Sequence, residues 1–213
     1  MKNKASSEYE SLRKGEKLPI VETFYTIQGE GFHTGKPAFF VRIGGCDIGC
    51  SWCDTKFSWN PGLHKLVDIG IILEDILVFK SDSVVVTGGE PLSYNLDRFC
   101  EMMKSEGLTT YLETSGAYPK SGNWDWVCLS PKENNPPIEQ NYSIADELKV
   151  IIQTVKDFSW AEFNATKIGE ECKLFLQPEW SQYDKILPIL VDYVKENTKW
   201  SISLQAHKFM RIP

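Results

Sequence analysis

Short apolar runs, each closed by glycine or polar residues, recur along the whole chain and leave few folds open to it. They are Ala38–Ile43, Ser83–Thr87, Thr109–Glu113, Trp126–Ser130, Leu148–Ile152, Cys172–Gln177 and Trp200–Gln205. Their length and β-branched or aromatic content suit strands covered on both faces. Between several of them, Val67–Lys80, Tyr94–Glu106, Phe158–Ile168 and Tyr183–Glu196 space their apolar residues as helices do. Strand–helix alternation predicts an α/β protein with a mostly parallel sheet. A closed eight-fold barrel takes about 250 residues, and this chain has 213. The stretch 116–146, interrupted by Pro119, Pro131, Pro136 and Pro137, also lacks a convincing helix. The expected fold is therefore an incomplete, trimmed β/α barrel, open on one side. It forms one domain over residues 19–213, and residues 1–18 are expected to be a polar, mobile extension with no assigned role.

Composition narrows the function. With 42% hydrophobic and 24% charged residues, the chain is too apolar to be disordered. A net charge of −6 argues against nucleic-acid binding through a basic surface. A membrane span needs about 20 apolar residues; the best run, Ile69–Phe79, is broken by Glu74 and Asp75. The polar N-terminus has no apolar core of the kind a secretory signal needs. A cytoplasmic protein with neither membrane nor nucleic-acid partner is the expectation.

If the strands are parallel, their polar ends share one C-terminal rim, where α/β folds place active sites. That rim would gather Arg42, Thr87–Glu90, Glu113–Gly116, Ser130–Lys132, Gln177–Glu179, Gln205 and His207. Strand termination explains the glycines and prolines there, but not the charged residues. Cysteine usage points to the same place. Cys100, Cys128 and Cys172 sit singly in or beside apolar segments and read as core. Cys46, Cys50 and Cys53 crowd into eight residues after the first predicted strand. Three soft thiolates in a glycine-containing loop suit zinc or an iron–sulfur centre. A structural zinc site wants four ligands, and only His64 stands near enough in sequence to be a fourth. Three ligands on a four-iron cluster leave one iron open.

The Cys-x3-Cys-x2-Cys spacing with Trp52 before the last cysteine, and Gly88-Gly89-Glu90-Pro91 after a Val-Val-Val-Thr run, resemble the two signatures of the radical S-adenosylmethionine (SAM) superfamily. Within it, Phe24-Tyr25-Thr26-Ile27-Gln28-Gly29-Glu30-Gly31, Cys53-Asp54-Thr55 and the terminal His207–Pro213 resemble the 7-carboxy-7-deazaguanine synthase family, a likeness running from about Ile20 to Pro213. The resemblance implies a trimmed barrel of the radical SAM type, a homodimer, and a lyase of queuosine and 7-deazapurine biosynthesis. It would convert 6-carboxy-5,6,7,8-tetrahydropterin to 7-carboxy-7-deazaguanine with loss of ammonia, using a 5′-deoxyadenosyl radical and regenerating SAM. Implied cofactors are a 4Fe–4S cluster on Cys46, Cys50 and Cys53, SAM, and Mg2+ at the Thr55 hydroxyl, with an electron donor of the flavodoxin kind. For SAM the implied contacts are Trp52, Cys53, Asp54, Gly89, Ser130, Pro131, Lys132, Gln177, Pro178, Glu179 and Trp180, with Glu113 and Ser115 ranked below them. For the pterin they are Ile27, Gln28, Gly29, Glu30, Arg42, Thr87, His207 and the terminal carboxylate of Pro213. Arg42 would pair with the substrate carboxylate, which a guanidinium fork fits. Two alternatives stay open: another radical SAM enzyme such as a glycyl-radical activase, and a non-catalytic zinc-binding module.

Overall fold

The computed structural model describes residues 2–213, with side chains from Ser7 onward. Helix α1 (Lys2–Arg13) leads into β1 (Lys17–Ile27), β2 (Pro37–Ile43), β3 (Lys65–Asp68), α2 (Ile69–Val78), β4 (Ser83–Gly88), α3 (Asp97–Ser105), β5 (Thr109–Thr114), β6 (Trp126–Leu129), β7 (Glu147–Ile152), α4 (Asp157–Ala165), β8 (Lys173–Pro178), α5 (Tyr183–Glu196), β9 (Ser201–Ile202) and α6 (Ala206–Met210). The strands form one sheet in the order β3-β1-β2-β4-β5-β6-β7-β8-β9. From β2 through β4 to β9 the pairing is parallel; β1 runs antiparallel to both β2 and β3. β3 and β9 are unpaired edges, so the sheet is open, as the sequence predicts.

The apolar runs correspond to β2 and β4 through β9. The two additional strands escape a periodicity reading for different reasons. β3 is four residues at a sheet edge, fused to a helix. β1 changes faces midway, so no single alternation runs through it. Two helix starts also shift. The stretch beginning at Val67 is strand until Asp68, whose carboxylate accepts Gly70 N–H at 2.9 Å and caps α2 at Ile69. The stretch beginning at Tyr94 becomes helix only at Asp97, after a 3₁₀ turn at Pro91–Ser93. At the N-terminus, α1 occupies part of the expected extension. The sheet starts at Lys17 and Leu18 is fully buried, so the boundary at residue 19 falls inside the first strand.

The two faces of the sheet differ. On the convex face, Phe39, Val41, Ile43, Val84, Val86 and Leu112 pack against Ile72 and Ile76 of α2 and Phe99 and Met103 of α3. Farther along, Leu148, Val150, Ile152 and Leu176 pack against Phe158 of α4 and Ile186 and Leu190 of α5. Cys100, Cys128 and Cys172 are all buried, as expected. No α-helix separates β5 from β6 or β6 from β7. Two aromatics cover the sheet there instead: Trp124 beside Phe99, and Tyr142, whose hydroxyl donates to Asn164 Oδ1 at 2.8 Å. Burying a large apolar side chain stabilises by about 1.5–3 kcal/mol, and both rings are buried. The concave face is mixed: Ala38, Phe40 and Val85 form a small apolar cluster with Phe24 and Tyr111, and Glu113, Cys128 and Glu147 lie side by side across β5, β6 and β7.

Candidate active site

A cavity of about 300 Å³ occupies the concave side, reaching from the parallel strand ends down to the loop that joins β1 to β2. Cys46, Cys50 and Cys53 line one wall and are half-buried. Their loop is shaped by contacts far apart in sequence. Gly45 and Cys46 N–H bond to the carbonyls of Ser58 and Trp59. The Tyr94 hydroxyl donates to Gly44 O at 2.8 Å, Tyr118 bonds to Asp47, and Asn134 Nδ2 donates to Ile48 O at 3.2 Å. Gly89 packs against this loop so closely that a Cβ would lie 2.1 Å from Gly45 O. Burial pushes the Cys46 and Cys50 thiols above their ordinary range; the Lys132 ammonium pulls Cys50 the other way.

This donor set fits an iron–sulfur cluster. The ligands are soft, all three open on one cavity, and among the described residues no group of three His, Cys, Asp or Glu is set to hold a single metal ion. His64, the one candidate for a zinc fourth ligand, turns its Nε2 to Phe57 O at 3.0 Å. The Thr55 hydroxyl sits 3.5 Å from the Cys53 sulfur and faces the cavity.

Gln28, Gly29 and Glu30 enter from the opposite end, because β1 is antiparallel and the loop after it crosses beneath the strands. Lys149, projecting inward from β7, ties this loop to the sheet. Its ammonium meets Glu30 Oε2 at 2.7 Å and Glu113 Oε2 at 2.9 Å, with the Lys149 side chain only 5% exposed. Gln205 Nε2 donates to Glu30 Oε1 at 2.9 Å, and Gln28 Oε1 accepts Glu30 N–H at 3.1 Å. Burial pushes Glu30 up, but the Lys149 charge and these bonds outweigh it and hold the carboxyl at about 2. Burial lowers Lys149 in turn, and the surrounding carboxylates overcome that, leaving it well above its usual range. The loop is anchored below by Glu147, which accepts Phe32 N–H at 3.1 Å and Trp126 Nε1–H at 3.3 Å. Gly31 has φ +65°, and a Cβ there would strike the Glu147 carboxylate at 2.0 Å.

The chain terminus closes the remaining side. Gly29 carbonyl accepts Ala206 N–H at 2.8 Å, and Gly29 rests against the His207 ring. Thr26 Oγ1 donates to Pro213 O at 3.3 Å, fixing the last residue at the cavity. Burial lowers His207, which keeps the imidazole neutral at pH 7. On the rim, Glu90 is a buried staple: it accepts Leu92 N–H, the Thr114 hydroxyl at 2.5 Å and Ser115 N–H at 2.8 Å.

Of the cluster, Mg2+, SAM and pterin residues predicted from the sequence, the cavity brings together all except Pro131; Gly116 of the predicted rim and His64 also lie outside its lining. Pro131 is buried behind it, where its carbonyl meets Trp160 Nε1 at 3.5 Å. Lys132 does line the cavity, donating to Ser130 O at 2.6 Å with its ammonium 5.5 Å from the Trp52 ring centre. Asp54 and Glu179 already have partners: Asp54 accepts from Lys208 Nζ at 2.9 Å, and Glu179 accepts from Ser181 N–H and Oγ–H. Gln177 accepts the Ser203 hydroxyl at 2.7 Å, and Trp180 lies at the mouth against Phe209. Lys149 and Trp59 line the cavity and were missed from sequence. Lys149 had left a signal, a lone cation inside the apolar run Leu148–Ile152.

An open α/β barrel with three thiols and a glycine-rich second loop on one cavity defines a radical SAM domain, and the radical SAM superfamily model matches residues 40–160. A 7-carboxy-7-deazaguanine synthase from Flavobacterium psychrophilum is 51% identical over 95% of this chain and 96% of its own length. One from Synechocystis is 43% identical over 91% and 93%. The crystal structure of QueE from Escherichia coli is 29% identical, covers 95% of this chain and 100% of its own, and superposes with a TM-score of 0.80. The chain belongs to the 7-carboxy-7-deazaguanine synthase family, and membership of the superfamily implies a 4Fe–4S cluster and SAM.

Proposed function

We propose that this chain converts 6-carboxy-5,6,7,8-tetrahydropterin to 7-carboxy-7-deazaguanine with loss of ammonia, as a cytoplasmic enzyme of queuosine and 7-deazapurine biosynthesis. One observation carries the reading: a single cavity has the cluster cysteines on one wall and Gln28, Glu30, Arg42, His207 and Pro213 on the others. Cys46, Cys50 and Cys53 would hold the cluster; with SAM bound, it supplies a 5′-deoxyadenosyl radical able to take hydrogen from C6 of the pterin. The chain's own residues orient and shield. Glu30, kept anionic by Lys149, accepts from the guanidine-like edge of the pterin, and Gln28 and the backbone of Ile27 and Gly29 complete that edge. Arg42 and Thr87 receive the substrate carboxylate side, and neutral His207 and the Pro213 carboxylate cover the ring. Trp52, Asp54, Gly89, Ser130, Lys132, Gln177, Pro178, Glu179 and Trp180 form the SAM side, with Pro131 supporting that wall from behind. Thr55 offers a hard oxygen to Mg2+ beside the soft sulfur of Cys53, the division of ligands these metals prefer. A flavodoxin-like protein donates the electron, and the chain works as a homodimer.

The test is an anaerobic assay of the reconstituted protein with SAM, a reductant, Mg2+ and 6-carboxytetrahydropterin. Formation of 7-carboxy-7-deazaguanine without matching consumption of SAM is expected. SAM cleavage with the pterin untouched would leave the radical chemistry standing and remove the substrate.

A further inference from the structure

Arg42 is met from behind by a residue that has no role in the reading so far. β1 pairs with β2 at Ile20↔Ile43 and next at Glu22↔Arg42, with the register shifting between them. Val21 is thus an extra residue, a β-bulge, a device that re-aims side chains near functional sites. Because strand side chains alternate faces with a period of two, the bulge changes the face that even-numbered residues take. Before it, Leu18 and Ile20 pack into the apolar layer on the convex side. After it, Phe24 and Thr26 line the cavity. Glu22, not Val21, is therefore placed opposite Arg42.

Glu22 Oε1 accepts the Arg42 Nε–H at 2.7 Å. The Phe24 ring lies alongside the guanidinium, 5.9 Å from centroid to Cζ, and is itself stacked on Phe40 at 5.3 Å with 2° between the planes. Arg42 lines the cavity and Glu22 does not. A guanidinium can grip a carboxylate along the edge shared by Nε and one Nη, or along the edge formed by the two Nη atoms. Glu22 occupies the first. Among the described residues neither Nη has a hydrogen-bond partner, so the second edge is the one left for a ligand. With Glu22 46% exposed, the ion pair itself adds little stability; its effect is to remove rotamer freedom from a long side chain.

We propose that Glu22, brought into register by the Val21 bulge, is a positioning residue that aims the terminal edge of Arg42 at the substrate carboxylate. It thereby sets the preference for a 6-carboxylated pterin over a pterin without that group. The proposal rests on the reading of Arg42 given above. It is tested by equilibrium binding of two fluorescent, unreactive ligands, 6-carboxypterin and pterin, to the reconstituted anaerobic enzyme with SAM. Wild type, Glu22→Gln, Glu22→Ala, Arg42→Ala and the double variant Glu22→Ala/Arg42→Ala are compared, with cluster absorbance and Tm as checks on folding. Wild type should prefer 6-carboxypterin, and Glu22→Ala should cut that preference by about tenfold, the worth of one well-oriented charge-assisted bond. Pterin binding should hardly move, and the double variant should be no worse than Arg42→Ala. An unchanged or raised preference in Glu22→Ala overturns the proposal, as does an equal loss for both ligands, which marks a structural role. If Arg42→Ala keeps the wild-type preference, or wild type has none, the reading of Arg42 itself fails.

Discussion

Replacing Lys149 with methionine removes the ammonium that bridges Glu30 and Glu113, while keeping most of the side-chain volume. Glu30 is held at about 2 against an ordinary 4.5, chiefly because the Lys149 charge outweighs its burial. A depression of that size corresponds to about 3 kcal/mol at 1.36 kcal/mol per pH unit. Breaking a buried ion pair by removing one partner costs about 3–5 kcal/mol, so two routes agree. For a chain of this length about 1 kcal/mol moves Tm by about 2–4 °C, and Lys149→Met should melt roughly 6–12 °C below wild type at pH 7. The pH dependence has a definite sign. A carboxyl with a depressed folded-state pKa stabilises fully above its unfolded value, and that contribution disappears as pH falls through the folded value. The gap between wild type and variant should therefore be largest near neutral pH and close as pH falls toward 2, through the folded-state value of Glu30 in the wild type. Calorimetry of the anaerobic protein across this range is the assay, with Lys149→Arg as the charge-retaining control. A variant melting within about 2 °C of wild type at pH 7, or a gap unchanged in acid, would refute the argument.

Three further outcomes are expected. Gly89→Ala puts a methyl 2.1 Å from Gly45 O, so the cysteine loop must shift; iron content and the cluster's visible absorption should fall while the fold survives by circular dichroism. Glu90→Gln sets an amide N–H2 either against Leu92 N–H and the Thr114 hydroxyl, which share one oxygen, or against the Ser115 donors, which share the other, and should cost about 1–3 kcal/mol in urea unfolding; no change in the midpoint would mean the staple contributes nothing. Deleting Pro213, whose carbonyl is held by Thr26, should weaken pterin binding and leave the cluster spectrum intact. Loss of the cluster in that variant would make the terminus structural.

Part of this protein could be read directly. Its parallel strands are legible because each is a local run of apolar residues closed by glycine, proline or polar residues, a signal independent of the rest of the chain. The cysteine loop is legible for the same reason: three thiolates within eight residues need no tertiary partner to declare a soft-metal centre. The openness of the barrel follows from chain length and from the prolines that deny helices to the stretch after β5.

What only the tertiary structure decided is how residues distant in sequence meet. β1 is hidden because its bulge at Val21 destroys a single alternation, and the pairing that reveals the bulge lies across the sheet in β2. Lys149 reads as an interruption of a strand until the loop after β1, 119 residues away, delivers Glu30 to it. Tyr94, Tyr118 and Asn134 are ordinary loop residues until folding sets them against the cysteine loop. The physical reason is common to all of these. Periodicity and motif spacing are properties of neighbours along the chain, whereas a buried charge or a re-aimed side chain is stable only through partners that the sheet order brings together.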